Sequence, residues 1–169
     1  MKSTTLSIIL TIVISLGVLA WLGSTKASGP EKTAVSASVN SASALTTEKA
    51  DYDFGTIRMK DGLVEKTFVL QNFTTSDVTI KKVTTSCMCT KAYVKTDEVG
   101  KGPFSMEGMG GFVPSVNIKV KAGGLAEIRV VFDPNAHGPA GIGPIGREVY
   151  VKDDLGRILT LRFKSVVTP

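Results

Sequence analysis

The sequence is poor in the residues from which most catalytic and zinc centres are built. Its 169 residues include one histidine and two cysteines, and the cysteines stand two positions apart. Without a C-x-x-C pair or a second cysteine cluster, a tetrahedral zinc site of the usual composition is not supported. The G-x-S-x-G motif of serine hydrolases and a phosphate-cradling glycine motif are also missing. We therefore expect that the protein is not an enzyme.

Charge of one sign is not concentrated in any part of the chain. The formal net charge is +5, from 20 Lys and Arg against 15 Asp and Glu. The basic residues are scattered along strand-like segments, as in Lys119-Val120-Lys121, and form no block of the kind found in nucleic-acid-binding proteins. We expect no nucleic-acid partner.

One long hydrophobic run stands near the N-terminus. Residues 6–23 are uncharged and strongly apolar, and as a helix they would be roughly 27 Å long, close to the ~30 Å hydrocarbon core of a bilayer. A signal peptide has the same layout, but its apolar region is shorter and ends at a small-x-small site, for which Thr25-Lys26-Ala27 is a poor match. We expect residues 1–23 to form an uncleaved single-pass membrane anchor. The alternative is a cleaved signal peptide and a secreted protein, and both place the rest of the chain outside the cytoplasm.

Residues 24–50 have the composition of a flexible linker. They are dominated by Ser, Ala, Thr and Val and contain no aromatic residue and no sustained periodicity. Such a segment cannot bury enough apolar area to offset its ordering entropy. As a flexible coil it would span roughly 30 Å, which would hold a domain clear of the membrane surface.

From residue 51 onward, apolar and polar residues alternate as in β-strands with one buried face. Residues 117–122 and 126–132 alternate most clearly, and Gly123-Gly124 supplies a turn between them. Helical spacing is not sustained anywhere in this part of the chain. Six to eight short strands with turn signals at regular intervals favour a two-sheet antiparallel sandwich over residues 51–169.

Two segments interrupt the strand pattern. Residues 100–115 combine five glycines with methionines and phenylalanines, and residues 137–144 are rich in glycine and proline. Long irregular loops in a compact domain are uncommon and often functional. We expect them to form partner-binding loops that contact a partner through Phe104, Met106, Met109, Phe112 and His137.

Both cysteines lie in the segment Thr85-Ser86-Cys87-Met88-Cys89-Thr90. In a regular strand, Cys87 and Cys89 would face the same side with Cα atoms about 6.5 Å apart. That separation lies at the upper edge of disulfide geometry, so a Cys87–Cys89 bond would require a turn.

Three interpretations of the cysteine pair remain open. The first is a structural or redox-active disulfide, which an extracytoplasmic compartment would favour. The second is a site for Cu(I) or a similar soft metal, with Cys87, Cys89 and His137 as ligands and a methionine as a further candidate. The third is a pair of small buried residues in the core.

Four segments stand in the order found in a known bacterial family. They are Asp53-Phe54-Gly55-Thr56-Ile57, Phe68-Val69-Leu70-Gln71-Asn72, Thr85-Ser86-Cys87-Met88-Cys89-Thr90 and Ile128-Arg129-Val130-Val131-Phe132-Asp133-Pro134. In these segments the chain resembles the DUF1573 family of extracytoplasmic Ig-like domains of unknown function, which look like relatives of the Ig-like domains of ciliary and centrosomal scaffold proteins. The chain departs from the family pattern at Met88, where glycine is usual, and in the longer, Met-rich segment at residues 100–115.

The resemblance covers roughly residues 50–169 and implies an Ig-like antiparallel β-sandwich of about 7–8 strands, usually behind a signal or anchor. It implies no established enzymatic activity. We favour a membrane-tethered binding or scaffold module without a cofactor, whose partner is an envelope protein or a surface polymer. The alternative is an envelope Cu(I)-binding or thiol-redox protein that uses Cys87-Met88-Cys89.

Overall fold

Ten β-strands form two five-stranded sheets within residues 43–108 and 114–169, the part of the chain that the computed structural model describes. In chain order the strands are β1 (Leu45–Thr46), β2 (Asp51–Arg58), β3 (Val64–Asn72), β4 (Val78–Thr85), β5 (Thr90–Lys95), β6 (Gly100–Phe104), β7 (Ile118–Val120), β8 (Leu125–Phe132), β9 (Gly143–Asp153) and β10 (Ile158–Thr168). Two short 3₁₀ helices lie at Met59–Asp61 and Gly138–Gly141. The strand order is β1-β3-β8-β5-β6 in the first sheet and β2-β10-β9-β4-β7 in the second.

The core lies between the inner faces of the two sheets. On β8, Ile128 and Val130 are fully buried, whereas Glu127 and Arg129 between and beside them are exposed. Leu161 on β10 is likewise fully buried in the opposite sheet. Each aliphatic side chain buried in this way contributes about 1.5–3 kcal/mol. The expected all-β sandwich is therefore confirmed. Apolar and polar residues alternate because one face of a strand such as β8 is buried in the core and the other is exposed.

The sandwich has more strands than the expected 7–8, and one pairing is parallel. The additional strands are short: β1, β6 and β7 have two, five and three residues. Strand β2 runs parallel to β10, from Asp51 opposite Arg162 to Arg58 opposite Thr168. Two parallel neighbouring strands need a long connection between them. Here most of the domain forms that connection, because β2 lies near its N-terminal end and β10 lies at its C-terminal end.

The sandwich also begins earlier than residue 51. Leu45 in β1 pairs with Asn72 in β3 and is 1% exposed. Ala50 is buried as well, and its carbonyl oxygen accepts a hydrogen bond from the Arg162 backbone N–H at 2.6 Å. Residues 43–50, which we assigned to the linker, therefore belong to the domain. A single leucine among Ser, Ala and Thr produces no periodicity from which its burial can be predicted.

The expected membrane anchor at residues 1–23 and the linker at residues 24–42 lie outside the described residues. Within the residues that are described, no helix has both the length and the apolar composition needed to cross a membrane.

Among the described residues, the β2–β3, β4–β5 and β8–β9 connections all cross between the sheets at the same end of the sandwich, which we call the site end. Val64 at the start of β3 and Thr90 at the start of β5 both lie opposite Phe132 at the end of β8. The β2–β3 connection, the β4–β5 turn and the β8–β9 loop are consequently neighbours.

Asn72 organises the opposite end of the sandwich. Its side chain is fully buried, and its amide nitrogen donates to the carbonyl oxygens of Ser76, Val120 and Lys121 at 2.8, 3.1 and 3.0 Å. Its Oδ1 accepts from the backbone N–H of Thr74 at 3.0 Å. One side chain thus joins the β3–β4 turn to the segment that follows β7.

We predict that Asn72→Ala lowers the free energy of unfolding by about 3 kcal/mol, because it leaves buried carbonyl groups without a donor. The measurement is urea denaturation of the full chain. Asn135→Ala is the control, since it removes an exposed asparagine with a single bond, from Nδ2 to the Met59 carbonyl oxygen at 2.7 Å, and should cost less than about 1 kcal/mol. Equal unfolding midpoints for the two variants would contradict this role of Asn72.

Candidate functional site

The two cysteines lie in a tight turn at the site end. Strand β4 ends at Thr85, β5 begins at Thr90, and the Thr90 backbone N–H donates to the Cys87 carbonyl oxygen at 3.2 Å. The Thr85 side chain is buried, and its hydroxyl oxygen lies 2.9 Å from the carbonyl oxygen of Cys87. The hydroxyl residues beside the cysteines therefore stabilise the turn.

This turn corrects the expectation that the cysteines lie in a regular strand. The Cα atoms of Cys87 and Cys89 are 5.3 Å apart, and the two residues are paired as a disulfide. Cys89 is buried at the edge of the core, whereas Cys87 is only half-buried. The interpretation of both cysteines as buried core thiols therefore fails for Cys87, which lies at the rim.

His137 reaches the turn from the β8–β9 loop. Its Nε2 lies 3.2 Å from the Cys87 Sγ, and its side chain is exposed. The loop is attached to the turn by the Asp133 backbone N–H, which donates to the Cys89 carbonyl oxygen at 2.9 Å. The structure thus brings together three residues that the sequence indicated as candidate ligands.

The three candidate ligand atoms all lie within 4.8 Å of one another. With the cysteines reduced, two thiolates and one imidazole nitrogen form a soft donor set that suits Cu(I). With the disulfide intact, the thiolates that such a site needs do not exist. Metal binding at Cys87, Cys89 and His137 therefore requires prior reduction.

Arg147, which is not among the residues expected from the sequence, completes the cluster. Its Nε donates to the Cys89 Sγ at 3.3 Å, and its Nη1 donates to the Gly146 carbonyl oxygen at 2.8 Å. Among the described residues, no carboxylate lies within salt-bridge distance of Arg147. It lies opposite the buried Phe163 in the β9–β10 register, so its side chain starts from the core face of the sheet. Arg147 lies 58 residues from Cys89 in the sequence, so no local sequence pattern predicts their contact.

The expected partner-binding residues are only partly available. Phe104 is 2% exposed and packs in the core, so the expectation that it contacts a partner is corrected. It belongs to β6, because the first part of the segment at residues 100–115 pairs with β5 instead of forming a loop. Met106 is half-buried. Met109 and Phe112 lie outside the described residues.

A groove of about 690 Å³ begins beside the cysteine turn. Ser86 and Arg147 line it next to the turn, and it continues over residues of β2, β9 and β10. Four of the charged side chains that line it form two pairs: Arg162 Nε with Glu148 Oε1 at 2.9 Å, and Lys164 Nζ with Asp53 Oδ2 at 3.3 Å. We call this surface the charged groove.

Two carboxylates of the charged groove, Glu148 and Asp53, are held in their ionised form. A hydrogen bond from the Tyr150 hydroxyl at 2.5 Å, assisted by Arg162, keeps the pKa of Glu148 below its ordinary value of 4.5. The backbone N–H of Gly55, which donates to Asp53 at 2.7 Å, and the nearby Lys164 lower the pKa of Asp53. The groove therefore presents fixed charges of both signs at neutral pH.

Fold and site together define an all-β, two-sheet sandwich that carries a disulfide-bearing turn at one end. Residues 45–105 match the sequence model of the family described as Protein of unknown function (DUF1573), which confirms the resemblance expected from the sequence. The matched region contains Cys87 and Cys89 but neither His137 nor Arg147. No curated protein matches the sequence.

Several solved structures are similar to this chain at low sequence identity. A protein of unknown function from Porphyromonas gingivalis W83 has a TM-score of 0.50 and 14% identity, over 72% of this chain and 44% of that one. The chain thus spans less than half of the length of that protein. The ASH / PapD-like domain 7 of human CEP192 has a TM-score of 0.44 and 14% identity, over 75% of this chain and 87% of the domain. The periplasmic chaperone SfaE has a TM-score of 0.38 and 10% identity, over 74% and 57%. At these identities the likeness concerns the fold alone.

We predict that the stability contribution of Glu148 is lost in acid. Its pKa is lower in the folded protein than its ordinary 4.5, so the folded state holds its proton less tightly than the unfolded state does. The contribution is therefore fully present above pH 4.5 and is lost as the pH falls through the folded pKa. Because the group is partly exposed, the contribution should be below about 1 kcal/mol.

The measurement compares unfolding free energies of the wild type and Glu148→Gln at pH 7 and at about pH 3. The difference between the two proteins should shrink toward zero at the lower pH. Glu127→Gln is the matched control, since within the described residues the Glu127 carboxylate has no salt-bridge partner. A Glu148→Gln difference of the same size at both pH values would overturn the prediction.

Proposed function

We propose that this chain is a membrane-tethered, extracytoplasmic, non-catalytic binding module that recognises another envelope protein or a surface polymer. The apolar run at residues 6–23 supports the tether, and the Ser- and Ala-rich segment behind it supports a flexible connection to the sandwich. Tethering raises the effective concentration near partners in the same envelope, so weak contacts are sufficient.

The charged groove is the observation that carries this proposal. The inner faces of both sheets are used by the core, so recognition falls on the outer surfaces and on the ends of the sandwich. The groove combines two ion pairs with Tyr52, whose side chain is 37% exposed. Charges arranged in this way favour partners whose own charges are complementary to them. Such complementarity increases the specificity of binding more than its affinity.

The proposal predicts that groove charges are needed for partner capture. The double variant Arg162→Ala/Lys164→Ala should reduce, by about fivefold or more, the amount of partner that the full chain captures from envelope fractions. The matched control Lys119→Ala/Lys121→Ala removes two exposed cations that lie outside the groove and form their own pairs with Asp77 and Glu98. It should capture as much partner as the wild type. Capture is quantified by cross-linking and mass spectrometry.

Two outcomes would contradict the proposal. In one, the groove variant and the control lose capture equally, which would indicate attraction by net charge alone. In the other, the wild type recovers no partner reproducibly above a resin-only background.

A second candidate function is binding of Cu(I) by the reduced cysteine pair. It is favoured by one specific observation, the 4.8 Å cluster of Cys87, Cys89 and His137. The donor set, two sulfurs and one imidazole nitrogen, fits a soft monovalent ion and contains no carboxylate that would favour a hard one.

This second candidate predicts that the reduced full chain takes up one equivalent of Cu(I) against a competing chelator. The double variant Cys87→Ser/Cys89→Ser should lose this uptake, and His137→Gln should weaken it about tenfold. Met88→Leu is the control, because it changes the turn without removing a member of the cluster. Chelator absorbance measures the uptake, and equal uptake by the reduced and the oxidised chain would exclude these cysteines as ligands.

A further inference from the structure

We propose that Cys87–Cys89 is a thiol–disulfide exchange site that oxidises a pair of cysteine thiols on a partner protein. Cys87 is the sulfur that is attacked, and Cys89 is the sulfur that leaves. This inference goes beyond the proposed binding function and does not depend on the charged groove, since it rests on the surroundings of the two sulfurs.

The two sulfurs differ in access. Cys89 is 2% exposed, whereas Cys87 is half-buried at the rim of the site end. In exchange the incoming thiolate must reach the sulfur that it attacks. Only Cys87 meets that requirement in the folded protein, so the bond opens from the Cys87 side.

The leaving sulfur faces a cation that forms no salt bridge within the described residues. The Arg147 Nε lies 3.3 Å from the Cys89 Sγ, and within the described part of the chain no carboxylate balances its charge. A guanidinium beside a sulfur stabilises the thiolate over the thiol, and a stabilised reduced form makes the disulfide a stronger oxidant. The cluster is therefore electrostatically complementary to the reduced form of Cys89.

The first step forms one bond and breaks one. A thiolate of the partner attacks the Cys87 Sγ, a mixed disulfide forms, and Cys89 leaves with the electron pair of the broken S–S bond beside Arg147. In the second step, the partner's other thiolate attacks the partner sulfur of the mixed disulfide. Cys87 then leaves as a thiolate, 3.2 Å from the His137 Nε2.

The overall reaction is balanced without a further reactant. Two thiols of the partner become a disulfide, and the Cys87–Cys89 disulfide becomes two thiols. The two protons that the partner's thiols lose pass to the released cysteines or to solvent. The product is the dithiol form that Cu(I) binding would require. Cu(I) would therefore bind these residues only after the exchange reaction has reduced them.

The first test measures the redox equilibrium of the full chain in glutathione buffers. The fraction of dithiol is determined by alkylation and intact mass. We expect Arg147→Gln to shift the equilibrium about tenfold toward the disulfide, because it removes the charge that stabilises the Cys89 thiolate. Arg147→Lys keeps the charge and should stay within about threefold of the wild type. Lys119→Gln removes an exposed cation that lies outside the charged groove and pairs with Asp77, and it should leave the equilibrium unchanged.

The second test identifies the attacked sulfur. The single variants Cys89→Ser and Cys87→Ser each keep one thiol, and each is mixed with oxidised glutathione while formation of the mixed disulfide is followed by mass. The Cys87 thiol should react at least about tenfold faster than the Cys89 thiol, because only Cys87 is accessible. Near-ultraviolet circular dichroism verifies that each variant is folded.

Three results would overturn the inference. The first is reduction of the disulfide only under conditions that also unfold the chain, which would make it a purely structural bond. The second is an equal shift for Arg147→Gln and Lys119→Gln. The third is equal or reversed reactivity of the two single-cysteine variants. None of these results depends on partner capture by the charged groove, so this inference and the proposed function fail separately.

Discussion

The apolar contact between the inner faces of the two sheets is the constraint on which the rest of the structure depends. Near the site end, Phe132 of the first sheet and Phe163 of the second have ring centroids 5.5 Å apart, and Phe54 packs on Phe163 at the same distance. Because these rings fill the space between the sheets, connections that change sheet must pass around the end. That requirement brings the β4–β5 turn and the β8–β9 loop together.

The chemistry of the site end follows from this crowding. Within one small cluster, Cys89 is enclosed at the edge of the core, Cys87 lies at the rim, Arg147 approaches from the core side and His137 from solvent. Two cysteines of the same turn thereby acquire different access and different charge environments. Backbone hydrogen bonds join the turn to β9 and to the β8–β9 loop, from Ser86 N–H to the Glu148 carbonyl oxygen and from Asp133 N–H to the Cys89 carbonyl oxygen, both at 2.9 Å.

Binding and exchange are compatible uses of the same surface. The charged groove starts at Ser86 and Arg147, so a segment bound along it would end beside Cys87. A flexible tether would confine the domain and its partners to a thin layer beside the membrane, so a modest affinity would be sufficient for binding. In the arrangement that we propose, the sandwich would supply recognition and the turn would supply the exchange chemistry.

The sequence by itself determined the all-β class, because alternation with a period of two is a local property of each strand. It also selected Cys87, Cys89 and His137, since soft and nucleophilic side chains are rare enough here to be conspicuous. Only the tertiary structure decided that the cysteines lie in a turn, that Leu45 belongs to the sandwich, that β2 runs parallel to β10, and that Arg147 contacts Cys89. The turn is closed by hydrogen bonds within residues 85–90, which a period-of-two pattern does not reveal. The other three depend on a partner far away in the chain, to which local periodicity is insensitive, and on the packing of the whole core, which selects among the possible pairings.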